Sequence, residues 1–402
     1  MKRDTAVAVV GTFDSKGEEH LFLKERIEKR GFRSLTINVG TRGPSPFEAD
    51  YDLYEETGNE EGHAPRGRDE AIEGVLRRGQ GLIRQLYEKG EICGIISAGG
   101  GTGTYMATTI MRMLPLGIPK IMISTVASRD MSRTVGTKDI TMMHSVVDLL
   151  GVNSISGKIL DKAAAAICGM VQTEWEPPAK KRQIALTFFG FITQAAEGIK
   201  QALEGMSYEV IPFHANGTGG MAMEELAREG FFDAILDLGT HELADDLMGG
   251  YCGGIGPERL EPVPGREIPR LVVPGGLDCA VLEFTKDHIP DEFIGRKIFF
   301  YDFRSAIRLS MEESRFLAGQ LAGKLNLDTR NTKVLIPTLG WSEADRRDGP
   351  LYDPVITNAF IQRLREDLNP RIQVQEVDVH INEPPFARLA AEVMDRMVTE
   401  RG

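Results

Sequence analysis

The sequence has no long hydrophobic run, no closely spaced cysteines and no excess of positive charge, and each absence excludes a class of protein. No stretch reaches the roughly 18 to 20 apolar residues that a membrane-spanning helix needs. The cysteines Cys93, Cys168, Cys252 and Cys279 lie far apart, which argues against a disulfide framework and a CxxC zinc site. A net charge of −12 argues against non-specific binding to nucleic acid or acidic membranes, while leaving room for a local basic cleft.

What is present describes an ordinary globular chain of more than one domain. Its 402 residues exceed what a single core usually holds, so we expect two domains. The apolar run Ala6–Val10 is too short for the core of a signal peptide and is typical of a first β-strand. Together with thiols in apolar surroundings, these features predict a cytoplasmic protein.

Short β-branched runs alternate with amphipathic segments along the chain, a pattern typical of parallel sheets covered by helices on both faces. A charged stretch with two prolines at 174–182 interrupts this pattern. We therefore predict an α/β N-terminal domain over 1–176, a linker at 177–182 and an α/β C-terminal domain over 183–402. The order of four elements agrees between the halves, which indicates a diverged duplication.

Three predictions concern local structure in the first domain. Residues 44–68, rich in Asp, Glu, Gly and Pro, are expected to form a long surface loop. Helical spacing predicts one helix over 69–89, capped by Asp69, and another over 142–150. His144 would lie on the second helix, where a lone histidine is more often a structural partner than a base.

Small residues follow four predicted strands of the first domain, at the strand ends where open parallel sheets bind ligands. The segment SAGGGTGT at 97–104 lies between a buried strand and a helix, so its bare backbone N–H groups suit an anion. The four strand ends together predict an anion or nucleotide site. With Thr137, whose segment could add N–H donors, the candidate residues are Gly11, Thr12, Phe13, Asp14, Lys16, Gly40, Thr41, Ser97, Gly99, Gly100, Gly101, Thr102, Gly103, Thr104, Ser124, Thr125, Ala127, Ser128 and Thr137.

None of these loops is a named nucleotide-binding fingerprint. Residues 99–104 are not GxGxxG and residues 11–16 lack the order GxxxxGK[ST], which disfavours a Rossmann dinucleotide site and a P-loop kinase. Lys16 is suited to contact a phosphate, and Asp14 to bind Mg²⁺, a hydroxyl group or the lysine itself. The alternative is a surface turn in which Asp14 caps a helix. Asp14, Lys16 and Asp139 are the candidates for catalysis.

The second domain carries histidines and carboxylates at the corresponding strand ends. Candidates for binding a second ligand are His214, Thr218, Glu242, Asp278 and His380. Such residues could form a metal or acid–base site if their side chains converge. Histidines at strand ends are also common hydrogen-bonding partners of loops. Three aspartates in the segment 340–354 are typical of turn residues and could lie over a pocket.

Several motifs in combination resemble one known family over nearly the whole chain. They are GTFDSKGEE (11–19), ISAGGGTGTYMAT (96–108), VGTKDITMMHSVVDLLGVN (135–153), FHANGTGG (213–220), LDLGTHELADDLMGG (236–250) and DVHINEPPFA (378–387). These motifs resemble the Tm-one-like proteins. That group comprises bacterial and fungal members of an uncharacterised family and the N-terminal part of the tomato mosaic virus resistance protein.

The resemblance implies two tandem Rossmann-like, three-layer domains with mostly parallel sheets. It also implies ATP bound by the N-terminal domain, with Mg²⁺ as a further candidate, and a homodimer or larger homo-oligomer. In the plant protein it implies inhibition of a viral replication protein. That protein also has a barrel-like C-terminal region outside the match, so the antiviral role is not carried over.

Three functions stay open at this point. The first is an ATP-binding protein whose reaction the sequence does not name. The second is an enzyme that acts on a small anionic metabolite in the cleft between domains, with His and Asp residues of the second domain. The third is a regulatory binding module without turnover.

Overall fold

The chain forms two compact units, Met1–Pro177 and Pro178–Gly402. The computed structural model describes residues 5–54, 67–176 and 180–400. Parts of two predicted segments, 55–66 of the surface loop and 177–179 of the linker, therefore lie outside the described residues. In the described ranges, no helix combines the length and hydrophobicity needed to cross a membrane.

A six-stranded sheet, parallel at every pairing, forms the centre of the first unit. Its strands are β1 (Ala6–Gly11), β2 (Arg33–Asn38), β3 (Tyr51–Asp52), β4 (Ile92–Gly99), β5 (Lys120–Ser124) and β6 (Thr141–His144). Its helices are α1 (Phe13–Glu28), α2 (Arg68–Glu88), α3 (Gly101–Met111), α4 (Ser132–Val135) and α5 (Ser156–Gln172). The order β3-β2-β1-β4-β5-β6 is that of dinucleotide-binding folds, and its direction reverses between β1 and β4.

Two hydrophobic cores cover the two faces of this sheet. Alternate side chains of β1 enter different cores, because successive residues of a strand point to opposite faces. Val10 belongs to the core that includes Ile83 of α2, whereas Val9 belongs to the core that includes Leu23 of α1 and Ile167 of α5. Every residue of β1 is buried, as expected for a central strand with helices on both sides.

The second unit contains a six-stranded parallel sheet and a smaller antiparallel one. The parallel sheet consists of β7 (Gln183–Phe188), β8 (Glu209–His214), β9 (Ala234–Gly239), β10 (Arg270–Gly275), β14 (Thr332–Pro337) and β15 (Gln373–Val377). The antiparallel sheet consists of β11 (Cys279–Leu282), β12 (Ile298–Phe300) and β13 (Ser305–Arg308). The helices are α6 (Thr193–Gly205), α7 (Thr218–Glu229), α8 (Glu242–Met248), α9 (Met311–Leu325), α10 (Pro354–Asp367) and α11 (Pro384–Thr399).

The two parallel sheets share one topology. The second sheet has the order β15-β14-β10-β9-β7-β8, so its first strand, β7, lies between its second and third strands. The first sheet has the same arrangement around β1 once the two-residue strand β3 is set aside. The predicted α/β class with two Rossmann-like domains is confirmed, and the shared order supports a duplication.

Two local predictions in the first domain are wrong. The helix predicted over 142–150 is absent, since Thr141–His144 forms strand β6, which pairs with β5 in parallel. The four apolar residues Met142, Met143, Val146 and Val147 fit either a short helix or an edge strand. The strand forms because this segment pairs with β5. Asp69 lies in the first turn of α2, whose N-cap residue is Gly67.

Candidate functional site

A cavity of about 280 Å³ lies at the carboxyl ends of the strands of the first unit, where the strand order reverses between β1 and β4. In open α/β sheets this is the position where ligands bind. The cavity is lined by Thr12, Asp14, Ser15, Lys16, Thr41, Arg42, Arg68, Gly100, Gly101, Thr102, Gly103 and Met106.

The start of helix α3 forms one wall of this cavity. Gly100 is the N-cap residue, and no side chain caps the helix. The first backbone N–H groups of a helix have no partner within it, so those of Gly101, Thr102 and Gly103 are available to a ligand. Below them, the hydroxyl groups of Thr104 and Ser124 are 2.6 Å apart and buried. These amides at the positive end of the helix dipole suit an anion.

Three cationic side chains and one carboxylate face the same cavity. The cations are Lys16, Arg42 and Arg68, and the carboxylate is Asp14. The Lys16 ammonium donates a hydrogen bond to the backbone oxygen of Leu149. Within the described residues, neither arginine forms an ion pair with a carboxylate. The cavity is therefore locally positive in a molecule whose net charge is −12.

Asp14 joins helix α1 to the loop that follows β2. Its Oδ2 accepts a hydrogen bond from the backbone N–H of Arg42 at 2.8 Å. A Cβ atom on Gly40 would lie 2.5 Å from the Asp14 carboxyl carbon, so this close approach requires glycine. Asp14 is not the helix cap, because the N-cap residue of α1 is Thr12.

Asn38, at the end of β2, holds two of the site loops together. This side chain is fully buried, and its Oδ1 accepts hydrogen bonds from the backbone N–H groups of Phe13 and Gly40, both at 2.9 Å. Its Nδ2 donates to Asp52 at 2.8 Å. Sequence reasoning missed Asn38, although a polar residue at the end of an apolar strand is a detectable signal.

His20, which sequence reasoning also missed, fixes the backbone at Lys16. Lys16 has non-helical dihedral angles, φ −133° and ψ 35°, inside helix α1. The Nδ1 of His20 lies 2.7 Å from the Lys16 carbonyl oxygen, and its Nε2 accepts a hydrogen bond from the N–H of Ala98 at 3.3 Å. Burial lowers the pKa of His20 to about 4, so the ring is neutral and Nδ1 carries the proton.

The structure brings only part of the predicted nucleotide site together. Eight predicted residues line the cavity: Thr12, Asp14, Lys16, Thr41, Gly100, Gly101, Thr102 and Gly103. Others lie at the same strand ends without lining it: Gly11, Phe13, Gly40, Ser97, Gly99, Thr104, Ser124, Thr125, Ala127 and Ser128. Ser15, Arg42, Arg68 and Met106 line the cavity but were not predicted.

Two predicted residues, Thr137 and Asp139, lie at the opposite end of the sheet. The Asp139 carboxylate pairs with the Lys120 ammonium at 2.6 Å, and Lys120 is the first residue of β5. Because β5 runs from Lys120 toward the cavity, this ion pair is at the amino ends of the strands. Thr137 lies in the same segment, before the start of β6.

The candidates for a second ligand fall into two separate groups in the second unit. Glu242 belongs to a buried ion cluster, in which it accepts hydrogen bonds from Arg259 Nε and Gly217 N–H, both at 2.8 Å. Thr218 begins α7 next to this cluster, and His214, which is only partly buried, ends β8. Burial and the nearby Arg304 lower the pKa of His214.

The other group consists of Asp278 and His380, both of which contact Ser342. The Ser342 hydroxyl donates to Asp278 at 2.8 Å, and His380 Nε2 lies 3.0 Å from the Ser342 carbonyl oxygen. Across the described ranges, no three His, Cys, Asp or Glu side chains are grouped to hold a metal ion. The predicted candidates therefore do not converge on one site.

Aromatic rings occupy the point of the second sheet that corresponds to the cavity of the first. Phe189 follows β7 and His241 follows β9, and the two rings stack with centroids 3.7 Å apart. His241 is fully buried, and neither ring nitrogen has a partner in the part of the chain that the structure describes. Burial lowers its pKa to about 3, so the ring is neutral.

Comparison with known proteins identifies relatives over the full length of the chain. A UPF0261 protein of Clostridium tetani is 36% identical over 401 residues, which cover 98% of each chain. The ToMV susceptible protein tm-1(GCR26) of Solanum lycopersicum is 32% identical over 425 residues, which cover 98% of this chain and 56% of the tomato protein. A solved Staphylococcus aureus MnaA–UDP complex is 9% identical over 99% of this chain and 96% of its own, with a TM-score of 0.25. So low a TM-score does not support a conclusion about function.

Two family domains match in the order of the two units. Residues 5–176 match the N-terminal domain of the Uncharacterised protein family (UPF0261), and residues 181–398 match its C-terminal domain. With these matches and relatives that include the tomato tm-1 protein, the chain belongs to family UPF0261 and is Tm-1-like.

Proposed function

We propose that the protein binds an adenine nucleotide and holds the phosphates of ATP in the cavity of the first unit. One observation carries the proposal. The unpaired amides at the start of α3 and three cationic side chains, Lys16, Arg42 and Arg68, surround a single cavity at the strand-order reversal. Backbone amides and cations together are the usual partners of phosphate groups.

The residues around the cavity fit a phosphate chain in size and charge. Its volume of about 280 Å³ lies just below the range of about 300–1,000 Å³ for whole small-molecule sites, which suits the phosphate part of a nucleotide. Lys16 would place a point charge on a phosphate oxygen, and the arginines would bind oxygens in pairs. Asp14 is the carboxylate available for a nucleotide-bound Mg²⁺. The choice of adenine rests on the family resemblance.

Replacing Lys16 tests the proposal directly. We expect ATP to raise the melting temperature of the wild-type chain, and Lys16→Ala to weaken ATP binding about tenfold or more, since one ammonium–phosphate contact is lost. Titration calorimetry measures the affinity. Lys29→Ala, which removes an exposed lysine of the same unit, is the matched control and should bind as the wild type does. No ATP-dependent rise in the wild type, or equal affinity in Lys16→Ala, would contradict the proposal.

The proposal names binding and no reaction. The catalytic candidates of the first domain are split between the cavity and the far end of the sheet, and those of the second domain form two separate groups. Release of inorganic phosphate from ATP would distinguish an enzyme from a regulatory binding module. ATP as ligand and four free thiols, three of them buried, support a cytoplasmic location.

A further inference from the structure

We propose that the second unit has its own ligand site, which binds a small polyhydroxylated anion, that is, a sugar acid or a sugar phosphate. The site is a cavity of about 980 Å³ at the carboxyl ends of β14 and β15. Its walls are residues of the second unit, chiefly the segment 339–353 after β14, here called the arginine loop, and residues 380–383 after β15. This inference does not rest on nucleotide binding in the first unit.

Buried side chains fix the arginine loop to the unit. Trp341 is fully buried, and its indole N–H donates to the carbonyl oxygen of Pro337 at 2.8 Å. The buried Asp345 carboxylate accepts hydrogen bonds from Arg308 Nη1 at 2.9 Å and from the Trp341 N–H at 3.1 Å. Gly340 has φ +133° and lies so close to the Asp345 carbonyl that a Cβ atom would be 1.6 Å from it. The loop is therefore held in one conformation.

This fixed loop presents two adjacent guanidinium groups at the cavity. Arg346 and Arg347 both line it and are both exposed. Within the described ranges, neither side chain forms an ion pair or a hydrogen bond. Arginine binds carboxylate and phosphate oxygens in a bidentate manner, and because the loop backbone is already fixed, binding has to order only the two side chains. From these two residues we infer that the ligand carries a carboxylate or phosphate group.

The other polar side chains of the cavity are mostly carboxylates, which need hydrogen-bond donors, so we expect the same ligand to carry hydroxyl groups. Glu343, Asp348 and Glu383 also line it, and three carboxylates would repel a bare anion. Hydroxyl donors on the ligand satisfy these carboxylates, and the amide of Gln194 can both donate and accept. The ring of Phe299 adds an apolar face, which suits the C–H groups of a sugar. A polyhydroxylated anion meets all of these demands.

The wall formed by residues 380–383, which adjoins the arginine loop, is also preformed. Asn382 Nδ2 donates to the carbonyl oxygen of Phe191 at 2.9 Å, and its Oδ1 accepts from the N–H of Ala195 at 3.3 Å. His380 lies 3.0 Å from the Ser342 carbonyl oxygen through Nε2 and accepts from the N–H of Asn382 through Nδ1. Since their polar atoms are already paired, these two residues position the wall and are not ligand contacts.

Calorimetry with three probes tests the site in the full-length Lys16→Ala chain, where the phosphate cavity of the first unit is weakened. D-gluconate supplies the carboxylate, D-glucose 6-phosphate supplies the phosphate, and neutral D-glucose lacks the oxyanion. We expect saturable binding of at least one charged probe and none of D-glucose. The double variant Arg346→Gln/Arg347→Gln should weaken that binding about tenfold or more. The matched control Arg228→Gln/Arg371→Gln removes the same charge from exposed positions of the same unit and should leave binding unchanged.

Two results would overturn the inference: no saturable binding of either charged probe, or equal loss of binding in the double variant and its control. If only gluconate binds, the ligand is a sugar acid, and if only glucose 6-phosphate binds, it is a sugar phosphate. Circular dichroism of both double variants shows whether each is folded. A failure of ATP to bind the first unit would leave these outcomes unaffected.

Discussion

At the scale of single residues, two buried side chains that do not line the cavity, Asn38 and His20, hold the backbone segments that do. The glycines at 99–103 and Lys16 could be predicted from the sequence. Small residues after a buried strand leave backbone N–H groups free to bind an anion, and a nearby lysine adds a positive charge. Arg42 and Arg68 were not predicted, since an arginine in a charged loop resembles any solvated arginine until the fold places it at the cavity. Asn38 and His20 each also bond a backbone group far away in the sequence, Phe13 and Ala98 respectively, and the sequence does not identify these partners even where the polar residue itself is noticeable.

His20 provides a test at this scale, because it positions Lys16 without touching the cavity. We expect His20→Leu to weaken ATP binding to a similar degree as Lys16→Ala, since the Lys16 carbonyl and the Ala98 N–H lose their partner. Leaving these buried groups unpaired should also lower the free energy of unfolding by about 1–3 kcal/mol. His20→Asn keeps a donor near the position of Nδ1 and should retain more of the affinity.

Calorimetry and urea unfolding of the same samples separate the two effects of His20. His288→Leu, which replaces an exposed histidine of the second unit, is the control and should change neither quantity. If His20→Leu is folded and binds ATP like the wild type, His20 has only a structural role.

At the scale of elements, predictions held where a long periodic pattern was present. The amphipathic pattern predicted a helix over 69–89, and α2 spans Arg68–Glu88, because apolar residues repeat at helical spacing over its whole length. The pairing of β11, β12 and β13 into an antiparallel sheet was not predicted, since the strands have only three or four residues each and β11 pairs with β13 across the long segment 283–304. The conformation of the arginine loop depends on Trp341, Asp345 and Arg308, which are brought together only by the tertiary fold.

The arginine loop should make the stability of the protein depend on pH. Burial and the neighbouring Asp278 carboxylate raise the pKa of Asp345 from 3.8 to about 8. A carboxyl group whose pKa is higher in the folded than in the unfolded state contributes stability that is complete below the unfolded pKa. That contribution is lost as the pH rises from about 4 through about 8.

Urea unfolding at several pH values between these limits measures this dependence. The Asp345→Asn variant should show a flatter decline of the free energy of unfolding with rising pH, because the amide does not titrate. Asp291→Asn removes an exposed carboxylate of the same unit and should leave the slope as it is. An Asp345→Asn variant with the wild-type slope would show that another group is responsible.

At the scale of the whole molecule, the segment 146–155 of the first unit exposes an unusual amount of apolar surface. Leu150 is 87% exposed, Val146 is 68% exposed and Ile155 is 49% exposed. Val146 also has φ +65°, which is rare for a β-branched residue. Exposed apolar side chains often mark a protein interface, and because the family resemblance implies a homo-oligomer, we propose that a second copy of the chain covers this segment.

Self-association should therefore depend on Leu150. We expect Leu150→Ser to raise the dissociation constant of the oligomer about tenfold or more, because burying one leucine stabilises an interface by about 1.5–3 kcal/mol. Sedimentation equilibrium over a range of protein concentrations measures the constant. Leu327→Ser, at a leucine of the second unit that is 60% exposed, is the matched control. A monomeric wild type, or equal association in Leu150→Ser, would contradict the proposal.

The stacked rings of Phe189 and His241 have an evolutionary consequence. If the two sheets descend from one ancestral half, that ancestor had a single crevice, and each copy inherited it. The first copy kept the crevice lined with glycines, whereas the second filled it with two aromatic rings. A copy whose crevice is filled is no longer selected to bind the ancestral ligand, and the carboxyl ends of β14 and β15 are then free to acquire a different one. In this history, the filled crevice and the site proposed at β14 and β15 lie at different places on one sheet, so the second domain would have exchanged its ligand without changing its fold.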